Sequence, residues 1–188
     1  MSIVDYLQSS EKSLAASRAY PGILNIDSAV ETIVAALTLG RPLLVCGNGG
    51  SASDAMHITG ELVGRFLKER RAFNCICLSS NPAVLTAWSN DYSFETVFSR
   101  QVEAYGAPGG VVLGLSTSGN SKNIIEAFRA AHRCNMKTIG FTGEGGGAMA
   151  EVSDVLVDVP SRSTPMIQQI HICLYHYLCE NIEARLAR

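Results

Sequence analysis

Apolar residues are spaced in two different ways along this chain. Over residues 3–18, and again from about Ser28 to Leu39, they recur every three to four positions, which predicts two helices. Ser2 stands where an N-cap belongs, and Gly40 where a left-handed cap would close the second helix. From residue 43 the pattern changes. Short, nearly continuous apolar runs appear: LLVC (43–46), FNCICL (73–78), VVLGL (111–115), KTIGFTG (137–143) and DVLVDV (154–159). Helical stretches separate them. One is expected after the glycines up to about Phe66. Another is capped by Asn81 with Pro82 in the first helical position, and others span roughly 94–104 and the residues after STSGNS up to about His132. A short helix is expected after the fourth run, and a long one starts at Thr164 and Pro165 and runs nearly to the end. Strands alternating with helices predict a parallel sheet covered on both faces. Strands apolar on both sides suit that double burial.

The 188 residues are expected to form one domain, with no linker, repeat or low-complexity tract. Hydrophobic residues make up 47% and charged residues 17%, against roughly 25% charged in an average soluble domain. Much of this surface should therefore be buried, in its own core or against copies of itself. The net charge of −2 gives no reason to expect nucleic acid or membrane as a partner. No apolar run approaches the roughly 20 residues of a membrane span, and the N-terminus lacks the basic start and apolar block of a signal peptide. Six cysteines without a C-x-x-C pair read as reduced thiols, so a cytoplasmic protein is expected.

Two polar loops follow the first and third strands, where ligands of open α/β sheets bind. The first, Gly47-Asn48-Gly49-Gly50-Ser51-Ala52, satisfies G-x-G-x-x-[GA]. The acid that would hold a ribose at the end of the next strand is missing there, which argues against a dinucleotide. The second, Ser116-Thr117-Ser118-Gly119-Asn120-Ser121, puts four hydroxyls within six residues at a helix start. A serine-rich N-cap accounts for one or two of them. Four, with the open amides and dipole of the helix, suit a phosphate. No Walker lysine is present; Lys122 lies in the wrong setting.

The helix after the first loop carries His57 and Glu61 four apart, on one face. Alone, such a pair is usually a surface ion pair, though it can also bind a transition metal or act as a base. The last helix adds Gln168, His171, Tyr175 and His176 as polar interruptions in an apolar pattern. A lone buried histidine is usually a hydrogen-bonded core residue, a reading that strains with two histidines and a glutamine together.

CGNGGSASDAMHITGELVGRF, SNDYSFETVFSRQVEA, LGLSTSGNSKNI and IQQIHICLYHYL together resemble the phosphoheptose isomerases of the sugar isomerase (SIS) domain superfamily, along essentially the whole chain. The resemblance implies a three-layer α/β/α sandwich on a five-stranded parallel sheet. Residues 1–40 would be a helical extension packing in a homotetramer whose active sites are shared between subunits. The implied reaction interconverts sedoheptulose 7-phosphate and D-glycero-D-manno-heptose 7-phosphate. By motif matching, Ser116, Thr117, Ser118 and Ser121 would hold the phosphate. Asn48, Gly49, Gly50 and Ser51 would line the sugar site, with Asn90 and Asp91 reaching in. His57, Glu61, Gln168 and His176 match zinc positions, one ion per subunit. Glu61 and His176 match the catalytic pair, and Gln168 would also touch the sugar. Gln168 and His176 lie eight apart, roughly 12 Å along a helix. Both reach one ion only if side chains lean together, the helix distorts or neighbouring subunits contribute; His171 is the easier partner by spacing. The chain reads Met166-Ile167-Gln168-Gln169 where the family more often has Arg-Ile-Gln-Glu. A non-catalytic relative, a replication-initiator-associating protein, shares the fold but lacks the Glu and the final His that this chain keeps. A sugar-phosphate sensor would need the serine loop without the His–Glu pair.

Overall fold

In the computed structural model, which describes residues 1–187, the apolar runs become β1 (Leu43–Gly47), β2 (Cys75–Cys77), β3 (Val111–Ser116), β4 (Lys137–Thr142) and β5 (Val155–Asp158). All pair in parallel, in the order β2-β1-β3-β4-β5. Leu43 pairs with Val111, and Val111 with Lys137. Alternate residues face opposite layers. Leu43, Val45, Leu113 and Phe141 point to one core, and Leu44, Cys46 and Val112 to the other. The first core is closed by α2 (Ile26–Thr38), α3 (Gly50–Val63) and α7 (Thr164–Leu186), and the second by α5 (Val97–Tyr105) and α6 (Lys122–Arg133). Leu85 and Trp88 of α4 (Pro82–Asp91) pack at the edge of the second. The expected three-layer sandwich is therefore present. β1 lies between β2 and β3, so the chain leaves it in one direction and returns on its other side. The loops after β1 and β3 diverge there and open a crevice.

Several element ends differ from the sequence reading. α1 (Ile3–Ser17) begins as expected, with a capping box: Asp5 N–H donates to Ser2 Oγ, and Ser2 N–H to Asp5 Oδ2. α2 starts at Ile26, two residues early, continuing directly from a 3-10 turn at Pro21–Asn25. β2 is shorter than the apolar run that suggested it. α3 stops at Val63 rather than near Phe66, because the amides of Phe66, Leu67 and Lys68 all donate to the Glu183 carboxylate at 2.6–2.9 Å. The Arg70 guanidinium lies 3.2 Å from that carboxylate and donates to the carbonyls of Glu61 and Gly64, completing the end of the helix.

The helical extension divides. α2 buries Ala29, Val30, Ile33 and Leu37 in the first core of its own chain. α1 buries only Ser17 and leaves Ile3, Val4 and Leu7 exposed. Among the described residues, no helix is long and apolar enough to cross a membrane.

His171 is fully buried, with Nε2 3.2 Å from the Thr142 carbonyl oxygen. Burial pushes its pKa down to about 4, against a smaller opposing effect of that hydrogen bond. The folded protein therefore resists a proton that the unfolded chain accepts near pH 6.5. The neutral ring's contribution is fully present above that pH and is lost as pH falls toward 4, a difference on the order of 3 kcal/mol. His171→Gln keeps a donor for Thr142 without the titration. Thermal unfolding between pH 7 and 4 should decline more steeply for the wild type than for this variant; parallel declines would refute the assignment.

Candidate active site

β3 ends at Ser116 and α6 begins at Lys122, so the serine loop bends back on itself within a few residues. Ser116 Oγ lies 2.8 Å from Ser121 Oγ and 3.4 Å from Ser118 Oγ. Gly119 makes the bend possible. Its φ is +66°, and a Cβ there would lie 2.0 Å from the Gly146 carbonyl oxygen. Ser121 is the N-cap residue of α6, yet its side chain makes no capping bond. Three of the four hydroxyls thus converge on one another instead of being consumed by the helix end. The plain N-cap explanation fails here.

These four hydroxyls line a cavity of about 290 Å³ together with Asn48, Gly49, Gly50, Ser51, Thr164 and Gln168. No lysine or arginine is among the described residues that line it, so an anion there would meet neutral donors and the start of α6. The two loops are joined by a reciprocal amide pair: Asn48 Nδ2 donates to Asn123 Oδ1, and Asn123 Nδ2 to Asn48 Oδ1, both at 2.9 Å. Across the cavity Thr164 Oγ1 lies 3.4 Å from Thr117 Oγ1. Gly50 allows α7 to approach closely, since a Cβ there would lie 2.5 Å from Gln168 Nε2.

Farther along the same two helices is a second cluster. Donor atoms of His57, Glu61 and His176 all lie within 4.8 Å of one another. His57 Nε2 is 3.0 Å from Glu61 Oε1, and the His57 and His176 rings meet edge-on with centroids 5.1 Å apart. Phe66, carried by the loop around Glu183, packs on the His176 ring at 5.8 Å. Two imidazoles and a carboxylate form a donor set that suits zinc.

Within one chain Gln168 lies nearer the start of α3 than this cluster does. It sits against Gly50, whereas His176 sits against His57, seven residues farther along α3. α3 and α7 therefore run side by side in the same direction, with the hydroxyl-lined cavity at their starts and the His–Glu cluster two turns on. His171 points the other way, into the core. Asn90 and Asp91 end α4, exposed, with the Asn90 amide donating to Asp91 Oδ1 at 2.8 Å, and neither lines the cavity. The departures at 166 and 169 both face α1: Ser10 Oγ lies 3.7 Å from Met166 Sδ, and Gln169 Nε2 donates to Tyr6 Oη at 3.1 Å. Lys122 is held by Glu95 at 2.8 Å.

Asn123 and Thr164 also belong to the site, although the sequence alone does not single them out. The available signal was modest: a polar residue two places past the serine loop, and a hydroxyl at a helix start. A larger cleft of about 490 Å³ between α2 and α7 is lined by Arg70, Arg71 and Arg185. Arg70 and Arg185 there are already paired with Glu183 and Glu31, so the cleft offers little free charge.

The SIS domain profile matches residues 5–143. A phosphoheptose isomerase of Crocosphaera subtropica is 52% identical over 147 residues, covering 78% of this chain and 75% of that protein. One from Rhodospirillum rubrum is 50% identical over 161 residues, 86% of each. A solved phosphoheptose isomerase from Neisseria gonorrhoeae superimposes with a TM-score of 0.91 at 37% identity, covering 97% of both chains. The sugar isomerase domain of an RpiR transcription factor from Sphaerobacter thermophilus, at 19% identity and a TM-score of 0.67, shares the fold alone. The match across most of the chain, together with the hydroxyl-lined cavity and the His–Glu cluster, places the protein in the phosphoheptose isomerase family of SIS-domain enzymes.

Proposed function

We propose that the protein interconverts sedoheptulose 7-phosphate and D-glycero-D-manno-heptose 7-phosphate through an enediol, the first step toward nucleotide-activated heptose for surface polysaccharide. The observation that carries this reading is the pairing, on α3 and α7, of a neutral hydroxyl-lined anion cavity with an imidazole–carboxylate cluster. The serine loop holds the phosphate, and the Asn48–Ser51 loop lies against the sugar. Isomerisation moves a proton between C1 and C2. Glu61 presents Oε1 to His57, which leaves its second oxygen to take the carbon-bound proton. His176 carries protons to and from the sugar oxygens. His57, Glu61 and His176, with Gln168 in the assembled site, would hold one zinc ion per subunit. When bound, the ion supplies polarisation of the carbonyl and of the developing enediolate.

The protein acts as a homotetramer with shared sites. Two features support this. The exposed Ile3, Val4 and Leu7 give α1 an apolar face. Gly50 and Glu61 are eleven residues apart on α3, roughly 16 Å along its axis, longer than the carbon chain of the substrate. The phosphate grip and the acid–base pair that serve one molecule then come from different subunits, and Gln168, Asn90 and Asp91 reach their roles across the interface.

The test is incubation of purified protein with sedoheptulose 7-phosphate, following heptose 7-phosphate, alongside metal analysis of untreated protein. Ser121→Ala removes one hydrogen bond to a charged group, about 1.5–3 kcal/mol. It should raise KM at least tenfold with kcat little changed. No turnover by the wild type, with or without added zinc, sinks the proposal.

A further inference from the structure

Tyr175 stands against both histidines of the acid–base cluster. Its ring meets His57 and His176 edge-on, with centroids 5.3 and 5.0 Å apart. The side chain is only 1% exposed. Its hydroxyl lies 3.0 Å from His57 Nδ1 and donates to Asp54 Oδ1 at 3.5 Å. Asp54 is one turn before His57 on α3 and is buried, and its Oδ2 has no hydrogen-bond partner among the described residues. A buried carboxylate is costly unless its neighbours use it.

The phenol has one proton to give. With that proton on the Asp54 bond, the phenol oxygen accepts from His57, so the imidazole carries its hydrogen on Nδ1. The Nε2 lone pair then faces Glu61 Oε1 at 3.0 Å. Two lone pairs at that distance repel unless a cation sits between them. We propose that Tyr175, backed by Asp54, is a positioning residue that fixes the Nδ1–H tautomer of His57 and presents Nε2 to the metal. This rests on the metal reading of the cluster. A ligand histidine whose other nitrogen is anchored this way is oriented before the ion arrives, and loss of such an anchor typically weakens metal binding 10–100-fold.

The experiment measures zinc affinity of metal-free protein by competition with a chromophoric chelator, for wild type, Tyr175→Phe and Asp54→Asn. Phe keeps the ring packing. Asn can donate to the phenol, which turns the phenol's proton toward His57 and selects the wrong tautomer. Both variants should bind zinc about 10–100-fold more weakly. Nitrogen NMR of zinc-loaded wild type should show His57 bound through Nε2 with hydrogen on Nδ1. Variants within threefold of wild type, or His57 bound through Nδ1, overturn the inference and leave the metal reading standing. Wild type without zinc affinity overturns both. If Tyr175→Phe does not fold, Asp54→Asn and the NMR assignment decide it.

Discussion

Glu61→Gln is expected to give a folded protein that isomerises sedoheptulose 7-phosphate about 10²–10⁴-fold more slowly, the range typical of a lost general acid–base group. The amide has the carboxylate's shape but cannot accept the carbon-bound proton. Folding has little stake in the change. The Glu61 side chain is 23% exposed and its interaction with His57 is a partly solvated one, which contributes little to stability. Its backbone carbonyl, which Arg70 does use, is untouched. The cavity proposed for the phosphate lies elsewhere, so KM should move far less than kcat. Steady-state kinetics beside thermal unfolding checks all three points. A variant as fast as the wild type removes Glu61 from the chemistry.

The largest stability effect is expected at a residue that touches no substrate. Glu183 lies near the end of α7, with a side chain 2% exposed, accepting three backbone amides and facing Arg70. Burial works against its charge, but the amides and the guanidinium outweigh burial, and its pKa falls below the ordinary carboxylate value. Glu183→Gln places an amino group against donors of the same sign and leaves the Arg70 charge uncompensated. Breaking such a pair costs about 3–5 kcal/mol, and each kcal/mol lowers Tm by about 2–4 °C at this size. Residues 64–72 should loosen with it, releasing Phe66 from His176. Calorimetric unfolding measures the loss; a Tm within 2 °C of the wild type contradicts this account of the loop.

The features legible in the sequence were those set by local pattern. Apolar runs marked the strands, and the clustered hydroxyls after β3 marked the lining of the cavity, since their spacing in the chain already places them at a helix start. His57 and Glu61 were legible for the same reason, being one turn apart. What depends on how two helices pack was not. Tyr175 read as one more polar interruption in α7, and its contact with Asp54 exists only because α3 and α7 lie side by side. Spacing alone put Gln168 and His176 roughly 12 Å apart on one helix, but which part of α3 each one faces depends on how the two helices pack. No local pattern in the sequence singles out Glu183. Its effect on the end of α3 is a contact across more than a hundred residues, and it moved that boundary three residues from where periodicity put it.

The order of the strands has a consequence for motion. β1 and β3, from which both loops of the hydroxyl-lined cavity hang, each have a neighbour on either side, while the short β2 and β5 form the edges. Fraying begins at edges, where backbone hydrogen bonds are most easily given up to water. The hydroxyl-lined cavity is therefore suspended from the part of the sheet that opens last, and local breathing of the margins can proceed without disturbing its geometry.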